Sequence, residues 1–400
     1  MRRLEILDGM RGYFLVFMLL NHLSFTGGYL LVRVNHAELG FVQDAQGFVF
    51  LSGLLVGMVY ARRMDRKGFA DGTAKMWKRA GELYLYAMGC IALILGAAAL
   101  EPALQAYWQP WLGDLRAGDA AMVGAAASLA YQPTFMDILP QYIVYLLVAP
   151  PLVWLCLRGR WAAVAIGSAV LWLAVQLGLH MPVADGINSL IGAAGEGVRL
   201  RAAFNVLAWQ VVFMSGLVLG VMTVTNQIDW QKVFTPERTA LVWLAVALLV
   251  FFLVWRVGFS FGVWPQEVAQ RFRGYEVRPE FSLIFLVNFL ALGWAMAWLL
   301  IAGPRSSNAR VRRMAEVVGN VFQLPFLRLI GRHSLQVYAF HVPIAYAVMA
   351  LNSHYGPFNE VTKTAIAITG VAMLALPALA RETDWRALLG TTPATARADK

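Results

Sequence analysis

Charge is what this chain has least of. Asp, Glu, Lys and Arg together make up 14% of its 400 residues, where soluble domains average roughly 25%. Apolar residues make up 59%, and the mean hydropathy is +0.60. A water-soluble fold is excluded, because no soluble core could hide that much apolar surface. Cysteine is nearly absent as well, with Cys90 and Cys156 the two in the chain. They build no disulfide framework and lack metal-ligand spacing. Both fall in apolar runs and read as free thiols that act as small apolar side chains. No metal site and no bound cofactor are expected. No low-complexity tract or internal repeat is visible, so the inverted repeats common in transporters are missing too. A basic start precedes the first apolar run, but no small-residue cleavage site follows it, and the run reads as a retained helix.

What is present is a series of long apolar runs. Roughly 20 mostly apolar residues are needed to cross about 30 Å of hydrocarbon. Such runs cover 12–32, 45–61, 81–100, 138–158, 161–180, 204–224, 238–257, 281–302, 332–351 and 362–380. All should be helices, since lipid offers no partner to free backbone groups. The expected fold is all-α: a polytopic membrane bundle of about ten helices, with one domain over 1–385 and a short cytoplasmic tail at 386–400. Arg158-Gly159-Arg160 joins the fourth and fifth spans as a hairpin. The stretch 121–131 is too short and Ala-rich to cross, and reads as a re-entrant or surface helix.

Basic residues set the orientation. With alternating loops assigned to opposite sides, 24 of the 33 Lys and Arg fall on one side and nine on the other. The richer side is cytoplasmic, and an even number of spans puts both termini inside. The net charge of +10 is then a topology signal and an attraction to anionic lipid, not a nucleic-acid footprint.

Function is to be sought where polar side chains sit at membrane depth, because each is costly there. Arg11 and His22 are eleven residues apart on the first span, which is three turns, nearly one face, and roughly 16 Å along the axis. An imidazole can accept a proton at neutral pH, and a guanidinium forks onto phosphate. The pair suits a phosphate-bearing donor entering from the cytoplasm toward a base near the bilayer middle. Equally, Arg11 snorkels and His22 bonds a neighbouring helix. Asp44, at the start of the second span, either orients His22 or serves as a first-turn acid. Ser52 and Gly53 read as close-packing residues. His341, inside the ninth span, pairs with His22, faces a cavity, or ties two helices together by a hydrogen bond. Arg332 and Ser334 stand at a cytoplasmic helix start, as a donor-phosphate contact and a cap. His36, His180 and His354 read as solvated. In the loop 258–280, Trp264, Tyr275 and Arg271 offer aromatic faces beside polar forks, which suits a sugar or an interfacial belt.

These motifs carry a resemblance. Asp8-Gly9-Met10-Arg11-Gly12 leading to Asn21-His22, then FVFLSG at 48–53, resembles the opening of OpgC-type proteins. Leu139-Pro140-Gln141-Tyr142, Phe204-Asn205 through Ala208-Trp209-Gln210, and Gly331 through Val337 resemble further segments of that family, in order. The likeness spans most of residues 5–350. It implies a membrane acyltransferase that succinylates periplasmic glucans, related to the family-3 acyltransferases with their Arg or Lys, ten residues, then His. The family's acidic pair ahead of FVFLSG is not matched: Gln46 stands where the second acid is expected, and Asp44 sits one place from the first. Residues 338–343 look closer to the family-3 pattern Y-x-x-H-x-P.

The reading is O-acyl transfer from cytoplasmic acyl-CoA, succinyl-CoA among the candidates, to a glycan hydroxyl, with His22 as base, in a bacterial inner membrane. Its partners are then acyl-CoA, a glycan and the bilayer. One rival is a transporter or flippase for a glycan or lipid carrier, with Arg and His as a proton relay. A second is a haem protein with His22 and His341 as axial ligands.

Overall fold

The computed structural model of the chain describes residues 5–193, 195 and 198–383. Arg2, Arg3, Glu196 and the expected tail at 386–400 lie outside the described residues. The helices of the first half are α1 (Glu5–His22), α2 (Asp44–Lys67), α3 (Phe69–Leu100), α4 (Pro102–Leu112), α5 (Ala120–Ala127), α6 (Ile138–Leu157), α7 (Trp161–Gln176) and α8 (Met181–Gly192). The second half holds α9 (Val206–Val224), α10 (Trp230–Val233), α11 (Ala240–Ser260), α12 (Gln266–Arg273), α13 (Leu283–Ile301), α14 (Ala309–Phe322), α15 (Pro325–Arg332), α16 (Ser334–Tyr355), α17 (Glu360–Met373) and α18 (Ala375–Glu382). Among the described residues there is no sheet, only an isolated bridge between Tyr131 and Arg201.

Eight stretches are long and apolar enough to cross a membrane: α2, α3, α6, α9, α11, α13, α16 and α17 with α18. A ninth is made by α7 and α8 if the pair, bent by 75° at its break, counts as one span. These match nine of the ten expected runs. The first run differs. Its helix starts at Glu5 and stops at His22, well short of residue 32. Gly27 and Gly28, with φ of 77° and 70°, turn the chain where a left-handed backbone costs least. The Tyr29 hydroxyl then donates to the carbonyl of Leu20, one of the acceptors orphaned at the helix end. Glu5, Asp8 and Arg11 in its first turns further separate α1 from the lipid-facing spans. The stretch at 121–131 contains the short helix α5.

Close backbone approach fixes the packing. Cβ atoms added at Gly53 and Gly57 of α2 would lie 2.0 Å from the Phe213 carbonyl oxygen and 2.2 Å from that of Leu217, both on α9. Reciprocally, Cβ atoms at Gly216 and Gly220 would lie 2.2 Å from the carbonyl oxygens of Phe50 and Leu54. The two G-x-x-x-G faces interlock as small residues do between membrane helices, and Gly53 is a packing residue as expected. The same device joins α1 to α14 and α15. Cβ atoms at Gly9, Gly12 and Gly331 would meet the carbonyl oxygens of Phe322, Leu327 and Asp8 at 1.6, 2.0 and 1.7 Å. Tyr145 of α6, Trp209 and Phe213 of α9 and Tyr338 of α16 are fully buried members of one hydrophobic core. By contrast α11 exposes Trp243, Leu244, Phe251 and Val254, and α13 exposes Leu283 and Leu290; such faces belong against lipid. Cys90 and Cys156 are buried free thiols.

Candidate active site

His22 ends α1, and His341 lies seven residues into α16, roughly 10 Å along that helix. The packing brings their rings together, with His22 Nδ1 3.0 Å from His341 Nε2. The far side of His341 decides the tautomers. Its Nδ1 lies against the backbone carbonyl of Tyr338, which can only accept. The network therefore assigns the proton of His341 to Nδ1. Its Nε2 is then a bare acceptor, and His22 donates to it through Nδ1–H. That leaves a lone pair on His22 Nε2, at a residue that keeps some solvent access while His341 is fully buried. The histidine of the Y-x-x-H-x-P segment thus does two of the things expected of it, pairing with His22 and tying two helices. The proline has a consequence too. Pro343 has no N–H for the carbonyl of Ala339, four residues back, and the Cys90 thiol donates to that carbonyl at 3.3 Å.

The ring face of His22 is covered. Phe135 stacks on it at 3.8 Å between centroids and 18° between planes. Phe135 lies just ahead of α6, and its backbone carbonyl accepts from the Tyr338 hydroxyl at 2.9 Å. Tyr338 is fully buried and stacks on Phe48 of α2 at 6.1 Å. The Arg11 guanidinium sits 5.5 Å from the ring centre of Phe48. Arg11 and His22 are thus joined through Phe48, Tyr338 and Phe135 as well as along α1. Beside Phe48, a small void is lined by Ser52, Gln141 and Tyr142. Ser52 Oγ and Gln141 Oε1 are buried with no hydrogen-bond partner among the described residues.

Asp44 belongs to a neighbouring cluster. Asn21 donates to its Oδ2 at 2.5 Å, and Asn35 donates to Asn21 Oδ1 at 2.7 Å. His36 Nε2 lies 3.5 Å from Asp44 Oδ1, and His36 Nδ1 lies 3.2 Å from the Tyr13 hydroxyl. The polar partner of His22 is therefore an imidazole, and the acid is bonded to Asn21, the residue before His22. His36 is not solvated as expected. Its side chain is 19% exposed, and burial pushes it down to about 4 even with an acid close by. His180 is likewise partly buried, 3.8 Å from Glu280. His354 is exposed as expected.

Two charged residues at this end of the bundle were not singled out by sequence reasoning. Asp137 immediately precedes α6 and is buried. Burial pushes its carboxyl up to about 6, against the backbone N–H groups of Asp137 and Ile138 and the charge of Arg278, which favour the anion. Arg278 lies within electrostatic reach of His22, Asp44 and Asp137, with its guanidinium 5.2 Å from the ring centre of Phe204. It retains solvent access, yet enough protein surrounds it for desolvation to lower its pKa, opposed by Asp137 and Asp44.

The other expected site residues lie elsewhere. Arg332 donates to Glu382 of α18 at 2.7 Å, and His333 lies 3.2 Å from the same oxygen. Ser334 is buried and opens α16, but the cap position is His333 and no side chain caps the helix, because α15 runs almost directly into α16. Trp264 stacks on Trp255 at 4.9 Å and donates to its carbonyl at 3.0 Å, so it packs back on α11. Tyr275 and Arg271 are exposed, and Tyr275 offers its carbonyl to Ser282. Within the loop 258–280, Arg278 is the arginine the fold brings toward His22; nothing in the sequence separates it from Arg271 and Arg273. Phe135 carries no sequence signal at all.

His22 Nδ1 and His341 Nε2 stand at hydrogen-bond distance, 3.0 Å, and not at the about 4 Å that two ligands at roughly 2 Å from one metal would take.

Comparison with known proteins gives one match. The family model described as OpgC protein matches residues 2–386. No curated protein and no solved structure matches the chain.

Proposed function

The chain belongs to the OpgC family, and from that membership together with the His22–His341 pair we propose a membrane-embedded O-acyltransferase that moves an acyl group, succinyl foremost, from cytoplasmic acyl-CoA to a hydroxyl of a periplasmic glycan. The observation that carries it is the open Nε2 of His22, with Nδ1–H held by His341. In this mechanism a glycan hydroxyl meets His22 Nε2. The hydroxyl oxygen attacks the thioester carbon as Nε2 takes its proton. The C–O ester bond forms, the C–S bond breaks, and the proton passes from His22 to the departing thiolate. The transient imidazolium is stabilised through Nδ1–H by His341 and, behind it, the Tyr338 carbonyl. Asn21, Asp44, Asp137 and Arg278 border the acceptor side. Arg11 grips donor phosphate, with Arg332 a further donor contact wherever phosphate displaces Glu382.

The test uses purified protein in detergent or nanodiscs. His22→Ala abolishes transfer, a loss of about 10²–10⁴-fold, and keeps donor binding. Arg11→Ala weakens acyl-CoA binding by about 1.5–3 kcal/mol, and Arg11→Lys recovers part of it. Near-normal turnover in monodisperse His22→Ala protein would sink the reading. Mass spectrometry of glycans from a deletion strain identifies the acyl group by the mass lost.

A further inference from the structure

Phe135 is not glycine, yet its backbone sits at φ 71°. A bulky side chain is rarely found in that left-handed region, and such strain persists only where the surroundings enforce it. Here they do. The Tyr338 hydroxyl holds the Phe135 carbonyl at 2.9 Å. The residue before it is held twice more: Thr134 N–H donates to the Trp111 carbonyl at 3.0 Å, and the Tyr346 hydroxyl donates to the Thr134 carbonyl at 3.2 Å. Both tyrosines belong to α16, the helix that carries His341. Trp111 also meets the Phe135 ring edge-on at 4.8 Å. The ring so placed lies nearly parallel to the imidazole of His22, at 18° between planes.

One residue serves both imidazoles. Tyr338 fixes His341 by its backbone carbonyl and fixes Phe135 by its hydroxyl. A hydrogen bond at Nδ1 alone leaves a histidine ring free to rock about that bond. A ring stacked on its face removes that freedom and keeps Nε2, at the ring edge, uncovered.

We propose that Phe135, held in its strained backbone by Tyr338, is a positioning residue for His22, fixing the plane of the imidazole so that Nε2 points at the acceptor hydroxyl. This rests on the reading of His22 as the base. The strain is then a cost carried for geometry, as strained residues near functional sites often are.

The test separates ring from backbone. Phe135→Gly relieves the backbone and removes the ring, whereas Phe135→Ala removes the ring and keeps the strain. Phe135→Gly is expected to melt at or above the temperature of Phe135→Ala, yet both lose kcat by about 10- to 100-fold with acceptor and donor KM within about twofold of wild type. Phe135→Tyr, which keeps the flat ring, recovers most of kcat, and Phe135→Leu does not. Tyr338→Phe, which keeps the ring and its carbonyl but drops the hydroxyl, falls between. The proposal is overturned if Phe135→Gly keeps wild-type kcat, or if kcat across the series simply follows melting temperature, as a purely structural side chain would make it. An active His22→Ala would instead remove the reading beneath it, so the two failures are distinct.

Discussion

An imidazole at membrane depth is a usable base only when one ring nitrogen is fixed as a donor and the other is left open. In this protein the fixing is done by a second histidine whose own proton is fixed by a backbone carbonyl. A carboxylate in that place would strengthen the base by its charge, but a buried charge is costly unless well paired. A neutral imidazole orients without that cost. The expected consequence is that His341→Leu, which leaves His22 Nδ1–H without an acceptor, lowers kcat by about 10² to 10⁴-fold and leaves donor binding unchanged. His341→Gln, whose amide oxygen can accept from Nδ1–H, restores part. Single-turnover kinetics on purified variants reads this directly, and equal activity of the Leu and wild-type proteins would remove His341 from the mechanism. Arg11 and His22 were legible in the sequence because one helix carries both at a spacing that aligns them. His341 was legible only as a choice among roles, because its partner lies 319 positions away. Phe135 and Arg278 were not legible. A stacked ring and a guanidinium brought within electrostatic reach of His22 depend on how connecting segments fold back, and no local pattern records that.

Helices in this bundle are positioned by glycine rather than by bulk. Between lipid and protein there is little hydrophobic preference to exploit, so association depends on close backbone contact. The α2–α9 contact shows this best, with glycines on each helix seated against carbonyls of the other. Gly57→Ala places a methyl group 2.2 Å from the Leu217 carbonyl oxygen, and should destabilise by about 3 kcal/mol, the upper end for overpacking. Gly81→Ala on α3 meets nothing within 4 Å and should be neutral or stabilising by about 0.5–1 kcal/mol, the helix penalty of glycine. Thermal unfolding of both variants in one detergent makes the comparison. Equal stability would mean that the helices separate without cost and that the glycines are incidental. At this scale the apolar runs of α2, α3, α6, α9, α11, α13 and α16 were readable from hydropathy, because lipid selects composition directly. The end of α1 differs from what hydropathy predicts. Hydropathy continues past His22, but the Gly27-Gly28 turn overrides it, and the segment that follows forms two short 3-10 turns, Leu30–Val34 and His36–Leu39, instead of continuing the helix.

Orientation belongs to the molecule as a whole, and two independent groupings bear on it. The first is the 24-to-9 division of Lys and Arg. The second is which segments the fold gathers at each end of α1. Its first half meets α14 and α15, with Arg328 3.1 Å from Glu5 and Gly331 against Asp8. Its His22 end meets the segment ahead of α6, where Phe135 stacks on His22, and the turn after it meets the start of α17, where Lys363 donates to the carbonyls of Thr26 and Gly28 at 3.1 and 2.7 Å. The basic stretch 305–332 thus gathers at the start of α1, and segments poor in basic residues gather at its end. Glu5, Asp8 and Arg11 keep α1 out of a hydropathy-defined count, but a helix enclosed by α2, α15 and α16 has protein rather than lipid for its charges to face, and it can cross with them. With α1 as a crossing, the nine stretches become ten and the ends of the described chain lie on one side. The expected result is that reporter fusions after residues 70 and 310 report cytoplasm, and fusions near 115 and 270 report periplasm. On the proposed function, Arg11 then faces the side from which acyl-CoA would enter, and Asn21, Asp137 and Arg278 face the side from which the glycan would enter. A periplasmic signal at 70 would reverse every loop together, because the basic residues that set orientation act jointly. It would leave the His22–His341 pair intact while placing Arg11, the proposed phosphate contact, on the side away from cytoplasmic acyl-CoA, and the direction of transfer proposed here would fall.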